Sequence, residues 1–177
     1  MANREALRDL QSRLAQRLSA VRTEAPGSSW LAIECAGVGL LVPLAGAGEI
    51  FPLGTIASVP HTRPWFAGVA NLRGGLHGVV DLAAFLGLRP TQAAAEGVRE
   101  QARLLALNPV IGSHVALLFE RLAGLRTAAQ LQREDDDDEV SRPSFATGRW
   151  RDDRQRVWQE IDPAALVQHE QFLGIAR

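Results

Sequence analysis

The sequence predicts a mainly β protein, a barrel or sandwich, with an α-helix at each end. Three observations lead there. From Trp30 onward, short apolar runs recur at regular spacing, broken by Gly and Pro. Before Trp30, leucines recur at steps of three and four, the period of an amphipathic helix. Near the C-terminus stands Asp162-Pro163, an N-capping side chain followed by a proline suited to the first helical position.

The elements follow in order. Leu7, Leu10, Leu14, Leu18 and Val21 form one stripe of a helix over residues 3–22, with Asn3 as N-cap and Arg4, Arg8, Arg13, Arg17 and Glu5 opposite. A coiled-coil seam fails because the position due after Leu14 is Arg17. This N-terminal unit, residues 1–25, is therefore expected to pack on its own domain rather than on a partner. Pro26-Gly27-Ser28-Ser29 ends it. Strands are expected near 30–35, 38–43, 48–51, 67–72 and 75–80, with Val38, Leu40 and Val42 on one face and Leu41 on the other. Asp81 starts a short helix through Leu86, closed by Gly87. After a polar, Ala-rich connection over 89–99, strands are expected at 101–107, 114–119, 121–126, 145–150 and 156–161. A run of six acids, Glu134 to Glu139, interrupts them and reads as a solvated, self-repelling loop. The last helix runs from Asp162 to about Leu173.

Composition excludes several classes of chemistry. A net charge of −1 argues against nucleic acid as the main partner, since phosphate binding needs a surplus of cations on one face. All 19 basic residues are Arg; with no Lys, Schiff-base chemistry and a P-loop lysine are excluded. The single cysteine, Cys35, lies in an apolar strand and reads as a buried small hydrophobe. His61, His77, His114 and His169 show no metal-ligand spacing, and the acid run lacks the alternation and Gly turn of a calcium loop. Gly37-Val38-Gly39 and Gly46-Ala47-Gly48 complete no nucleotide fingerprint and read as hairpin turns. No serine sits in a nucleophile elbow. No catalytic constellation, metal site or cofactor site emerges. The N-terminus shows no signal peptide and no apolar run is long enough to span a bilayer, so the chain reads as cytoplasmic, without membrane insertion.

What remains is the stretch from Glu49 to Leu88. It holds Glu49-Ile50, then Pro64-Trp65-Phe66-Ala67-Gly68-Val69, then Asn71-Leu72-Arg73-Gly74 followed by an apolar strand and Asp81-Leu82, with Arg73 lying 24 residues after Glu49. An Arg at a Gly-flanked turn would project from the surface as a planar five-donor fork, a side chain favoured at protein interfaces. Gly68 could mark a bulge or an interface. Trp65 and Phe66 could plug the base of a barrel or form an exposed anchor.

This order of motifs resembles the CheW family, adaptors that couple bacterial chemoreceptors to a histidine kinase. The match is sharpest over residues 38–88 and fainter through His114–Arg126 and Arg156–Asp162. The leading Leu-rich helix and the closing segment Ala164–Leu173 look most like its PilI-like subgroup, which serves pilus-based twitching motility. The resemblance implies two five-stranded lobes similar to SH3 barrels, packed through an apolar seam: a first lobe over about 30–88, a second over about 98–161, then a terminal helix over 162–174, all within a domain spanning 26–177. It implies a non-enzymatic adaptor controlling type IV pilus motility, with a CheA-like histidine kinase and the cytoplasmic tips of chemoreceptors as partners. It further implies partner contacts at Arg73, Glu49, Asn71, Leu72, Gly68 and Val69. The alternative is a small-barrel module, outside signalling, that binds peptides or nucleic acid.

Overall fold

A computed structural model describes residues 28–89, 100–134 and 142–176. The helix expected over 3–22, and Asp135 to Glu139 of the acid run, lie outside the described residues. The elements are β1 (Ser29–Cys35), β2 (Val38–Pro43), β3 (Ala47–Pro52), β4 (Phe66–Leu72), β5 (Gly75–Asp81), α1 (Leu82–Phe85), β6 (Arg103–Leu107), β7 (Val115–Phe119), β8 (Arg121–Thr127), β9 (Leu131–Arg133), β10 (Ala146–Asp152), β11 (Val157–Ile161), α2 (Pro163–Gln168) and α3 (Glu170–Leu173). The protein is mainly β, as the sequence predicts.

The strands form two sheets, one of six strands in the order β8-β1-β2-β11-β10-β9 and one of five in the order β3-β6-β7-β5-β4. This departs from an apportioning of 30–88 to one lobe and 98–161 to the other. The β1–β2 hairpin joins β8–β11 from the far end of the chain, and β3–β7 make the second sheet between them. The reason lies in pairing across sequence: β2 runs parallel to β11, and β5 parallel to β7, which no local turn can specify. The chain passes from the five-stranded to the six-stranded sheet through Glu120 alone, and makes the outward passage through 44–46. Gly46-Ala47-Gly48 therefore belongs to a crossing between sheets and to the start of β3, not to a hairpin.

Both sheets curl. In the six-stranded sheet the edge strands β8 and β9 are separated by only the 3-10 turn Ala128–Gln130, so the edges converge there. Each sheet wraps its own small core: Trp30, Ala32, Leu41, Leu131 and Trp158 in one, and Ala70, Leu72, Val79, Leu104, Ala106 and Ala116 in the other. The largest cluster lies between them and draws on both, including Ile33, Leu40, Val42, Val80, Leu105, Leu117 and Phe119. This explains the apolar runs Trp30–Ile33 in β1, Leu40–Val42 in β2, Leu104–Leu107 in β6 and Val115–Phe119 in β7. One face fills a barrel, the other fills the seam, and each fully buried large side chain contributes about 1.5–3 kcal/mol.

The helices close the seam. Asp81 caps α1 by accepting from the Ala84 amide at 3.1 Å, and Asp162 caps α2 by accepting from the Ala164 amide at 2.9 Å. The final helix does not run unbroken to Leu173. His169 adopts extended dihedrals (φ −67, ψ 136) and starts α3 afresh, which sends Phe172 into the seam, stacked at 6.0 Å on Trp65. Trp65 is itself buried there, edge-on to Phe85 at 5.1 Å, so it is a seam residue and not an exposed anchor. Cys35 is buried as expected, and burial together with the nearby Glu120 carboxylate pushes its thiol up to about 12. At the lobe junction Arg89 lies between Asp81 (2.9 Å) and Glu120 (3.1 Å), and Glu120 also accepts from the Ala36 amide at 2.9 Å.

Candidate functional site

The candidate docking surface is built on the β4–β5 hairpin. β4 and β5 pair from Phe66↔Val80 to Leu72↔Gly75, leaving Arg73-Gly74 as a two-residue loop. Both loop residues have positive φ, +49 at Arg73 and +83 at Gly74, as a type I′ turn demands. Glycine takes that conformation freely, whereas arginine is held in it against a cost of about 1–2 kcal/mol. The Asn71 side chain braces the turn by accepting from the Gly74 amide at 2.8 Å.

The turn meets a residue from the opposite edge of the same sheet. Glu49 sits in β3 where the register with β6 shifts between Ala47 and Ile50, a bulge that re-aims side chains. Its carboxylate lies 2.6 Å from the Arg73 guanidinium, with side-chain exposures of 43% and 74%. Edge strands β3 and β4 are thus bridged by two residues 24 positions apart, and the closure of the sheet presents them as one exposed charged pair.

Of the six residues the sequence singled out, Arg73, Glu49 and Asn71 are brought together at the surface. Val69 is half-buried, and the other two have gone elsewhere. Leu72 points into the barrel core with Ala70 and Val79, so its side chain is not available to a partner; alternation along β4 turns Gly68, Ala70 and Leu72 inward. Gly68 is buried, with φ +135, and a Cβ there would lie 2.1 Å from the Ala57 carbonyl oxygen. That carbonyl accepts from the Val69 amide at 2.8 Å, and the Ala57 amide donates back to Val69 O at 2.8 Å, so the loop cannot easily retreat. The geometry gives Gly68 the bulge-and-close-approach role.

Sequence reasoning missed Leu76. It pairs directly across from Asn71 and is 65% exposed, which adds an apolar contact beside the charged tip. Its signal was an apolar residue in the outward register of β5, next to the turn. Also missed was the charge cluster on the six-stranded sheet, where Glu34 accepts from Arg121 at 2.6–2.8 Å and pairs with Arg156. Burial alone would raise Glu34, but hydrogen bonds and charge from the two arginines hold its carboxyl below the ordinary value. Asp152 is likewise held low against its burial, by the Trp158 indole N–H and the amides of Arg156 and Arg154. Among the described residues no group of three or more His, Cys, Asp or Glu could hold a metal ion, and no helix is long and apolar enough to cross a membrane.

Comparison with known proteins gives the same picture from outside. The CheW-like domain model matches residues 29–171. Protein PilI of Pseudomonas aeruginosa is 26% identical over 166 residues, spanning 93% of this chain and 89% of that one. The crystal structure of scaffolding protein TtCheW from Thermoanaerobacter tengcongensis superposes with a TM-score of 0.62 at 15% identity, covering 77% of this chain and 85% of the other. That likeness extends to the fold of two SH3-like barrel lobes. The interleaved sheets, the apolar seam and the Asn-Leu-Arg-Gly hairpin are accounted for together: the chain belongs to the CheW-like domain family, the scaffold and adaptor proteins of chemosensory systems.

Proposed function

We propose that this protein is a non-catalytic, cytoplasmic adaptor that couples the tips of chemoreceptors to a CheA-like histidine kinase in a pathway controlling type IV pilus twitching motility. The observation that carries the reading is the exposed Arg73–Glu49 pair on the strained hairpin tip, with Asn71 bracing the turn and Leu76 beside it. Strain of about 1–2 kcal/mol retained at a solvent-facing residue is characteristic of a position kept for what it touches. Similarity to the Pseudomonas protein PilI supports the pilus-linked pathway. The mechanism is a shift of populations: receptor state alters how the bridge is engaged, and the kinase responds without any chemistry in the adaptor itself. No cofactor enters it.

The test is affinity capture of the full chain from its native cell. A multidomain histidine kinase and a chemoreceptor should be recovered together. The Arg73→Glu variant should lose one of them by at least about tenfold while melting like the wild type. Recovery of both partners at wild-type levels with Arg73→Glu would remove Arg73 from the interface. Recovery of neither with the wild-type chain, alongside tight salt-sensitive oligonucleotide binding, would favour a nucleic-acid-binding barrel instead.

A further inference from the structure

A second surface, on the six-stranded sheet and away from the Arg73 hairpin, has the make-up of a binding cleft. It encloses about 720 Å³ between β8 and β9, the two edge strands, with the β10–β11 turn as its rim. Five arginines line it (Arg121, Arg126, Arg151, Arg154 and Arg156) against three carboxylates, Glu34, Asp152 and Asp153. Two of those carboxylates are already engaged. Glu34 holds Arg121 and Arg156, and Asp152 accepts from the Trp158 indole at 3.0 Å and from two backbone amides at 2.9 Å. Arg151 is paired outside the cleft lining with Glu134. Among the described residues, Arg126 and Arg154 form no ion pair with a carboxylate.

Arg126 is also fixed in place. Its guanidinium donates to the Leu125 and Ala123 carbonyls at 2.9 and 3.3 Å and stands 5.4 Å from the centre of the Trp158 ring. Arg156 stacks on that ring too, at 4.5 Å. Arg156 already has Glu34 as its counter-ion, so Arg126 is the cation on this indole that contacts no carboxylate among the described residues, although its charge helps to hold Asp152 low. The second element is backbone. Among the described residues β8 pairs only with β1, so its other edge has no strand beside it there, and Leu122 (44% exposed) and Leu125 (59% exposed) lie on the same strand. A free edge bearing exposed leucines is a template for strand addition.

We infer that this cleft docks an extended, acidic segment of a partner protein, which pairs with the free edge of β8 and places carboxylates on Arg126 and Arg154. The inference is independent of the adaptor reading. Polypeptide is favoured over nucleic acid because the chain carries a net charge of −1 and three carboxylates stand inside the cleft, where a continuous phosphate backbone would meet them. The mode is also specific about what it excludes: a basic strand offers the same main-chain bonding and is turned away by charge alone.

The experiment titrates the full chain into a short fluorescein-labelled peptide alternating Glu and Thr, read by anisotropy, with a Lys/Thr peptide and an oligothymidylate of like length as competitors. Saturable binding of the Glu/Thr peptide is expected, weakening as salt rises toward about 0.5 M. Arg126→Glu and Arg154→Glu should each reduce it at least about tenfold, and Arg73→Glu should leave it unchanged. Arg154 is exposed, so its variant keeps the test valid if the Arg126 variant folds poorly. Bound peptide should also slow amide exchange across β8. The inference is overturned by any of four results: undiminished binding by Arg154→Glu, tighter binding of the oligothymidylate, no saturation up to millimolar peptide, or binding seen only after Asp135–Asp138 are replaced by Asn. The last result would make this chain's own acid run the occupant.

Discussion

Consider the substitution Gly68→Ala. Two separate penalties apply at this residue. Its φ of +135 is a conformation that L side chains rarely adopt, with a cost of order 1–3 kcal/mol. The new methyl would lie 2.1 Å from Ala57 O and 3.0 Å from a methyl carbon of Ile56, well inside contact distance. Relief requires displacing the Ala57 backbone, which loosens two hydrogen bonds to Val69, each worth about 0.5–1.5 kcal/mol. Together these predict a loss of about 3 kcal/mol, or roughly 6–12 °C in Tm for a chain of this size. Calorimetry or circular dichroism on heating measures it. Because the methyl would point at Ala57 and not at solvent, capture of partners by the folded fraction should stay close to wild type. A variant that melts within about 2 °C of wild type yet loses a partner would refute the reasoning and make Gly68 a contact residue.

Arg73→Asn should melt at or slightly above wild type, since asparagine tolerates the left-handed turn and the exposed ion pair contributes at most about 1 kcal/mol; a loss above about 2 kcal/mol on urea unfolding would contradict this. Glu34 and Asp152 are both held below their ordinary values, so each adds stability that is present at neutral pH and lost as pH falls below about 5, through the folded-state values. Glu34→Gln should therefore flatten the acid limb of a stability–pH curve, and an unchanged limb would assign it elsewhere. Arg89→Met should cost about 3–5 kcal/mol on urea unfolding by leaving Asp81 and Glu120 facing each other without their cation; a neutral result would mean that water already solvates them.

Much of the architecture was legible because the forces that set it are local. A hairpin announces itself at Arg73-Gly74 and another near Gly37-Val38-Gly39, although its turn falls one residue earlier, at Ala36-Gly37, with Val38 and Gly39 already in β2; caps announce themselves at Asp81 and Asp162, and strands by apolar runs whose two faces are both buried. What was not legible depends on distant partners. Nothing in the order of residues says that β2 will lie beside β11, or that the first hairpin will leave its neighbours for the far end of the chain. The three-residue β9 is too short to show a period, and the break at His169 follows from where Phe172 must pack. At the candidate site the charged pair was foreshadowed by motif, whereas the inward turn of Leu72 follows from parity along β4. The arginine cleft gathers residues from β8, the β10–β11 turn and β11, which no single window of sequence displays.

The crossing at Glu120 has a mechanical consequence. Because the main chain leaves one lobe and returns to complete its sheet only after building the other, no single cut yields two self-sufficient halves. A load applied to either lobe is borne by covalent backbone as well as by the side chains packed at the boundary. Prising the lobes apart would therefore strain two covalent crossings, at 44–46 and at Glu120, before the apolar boundary could open.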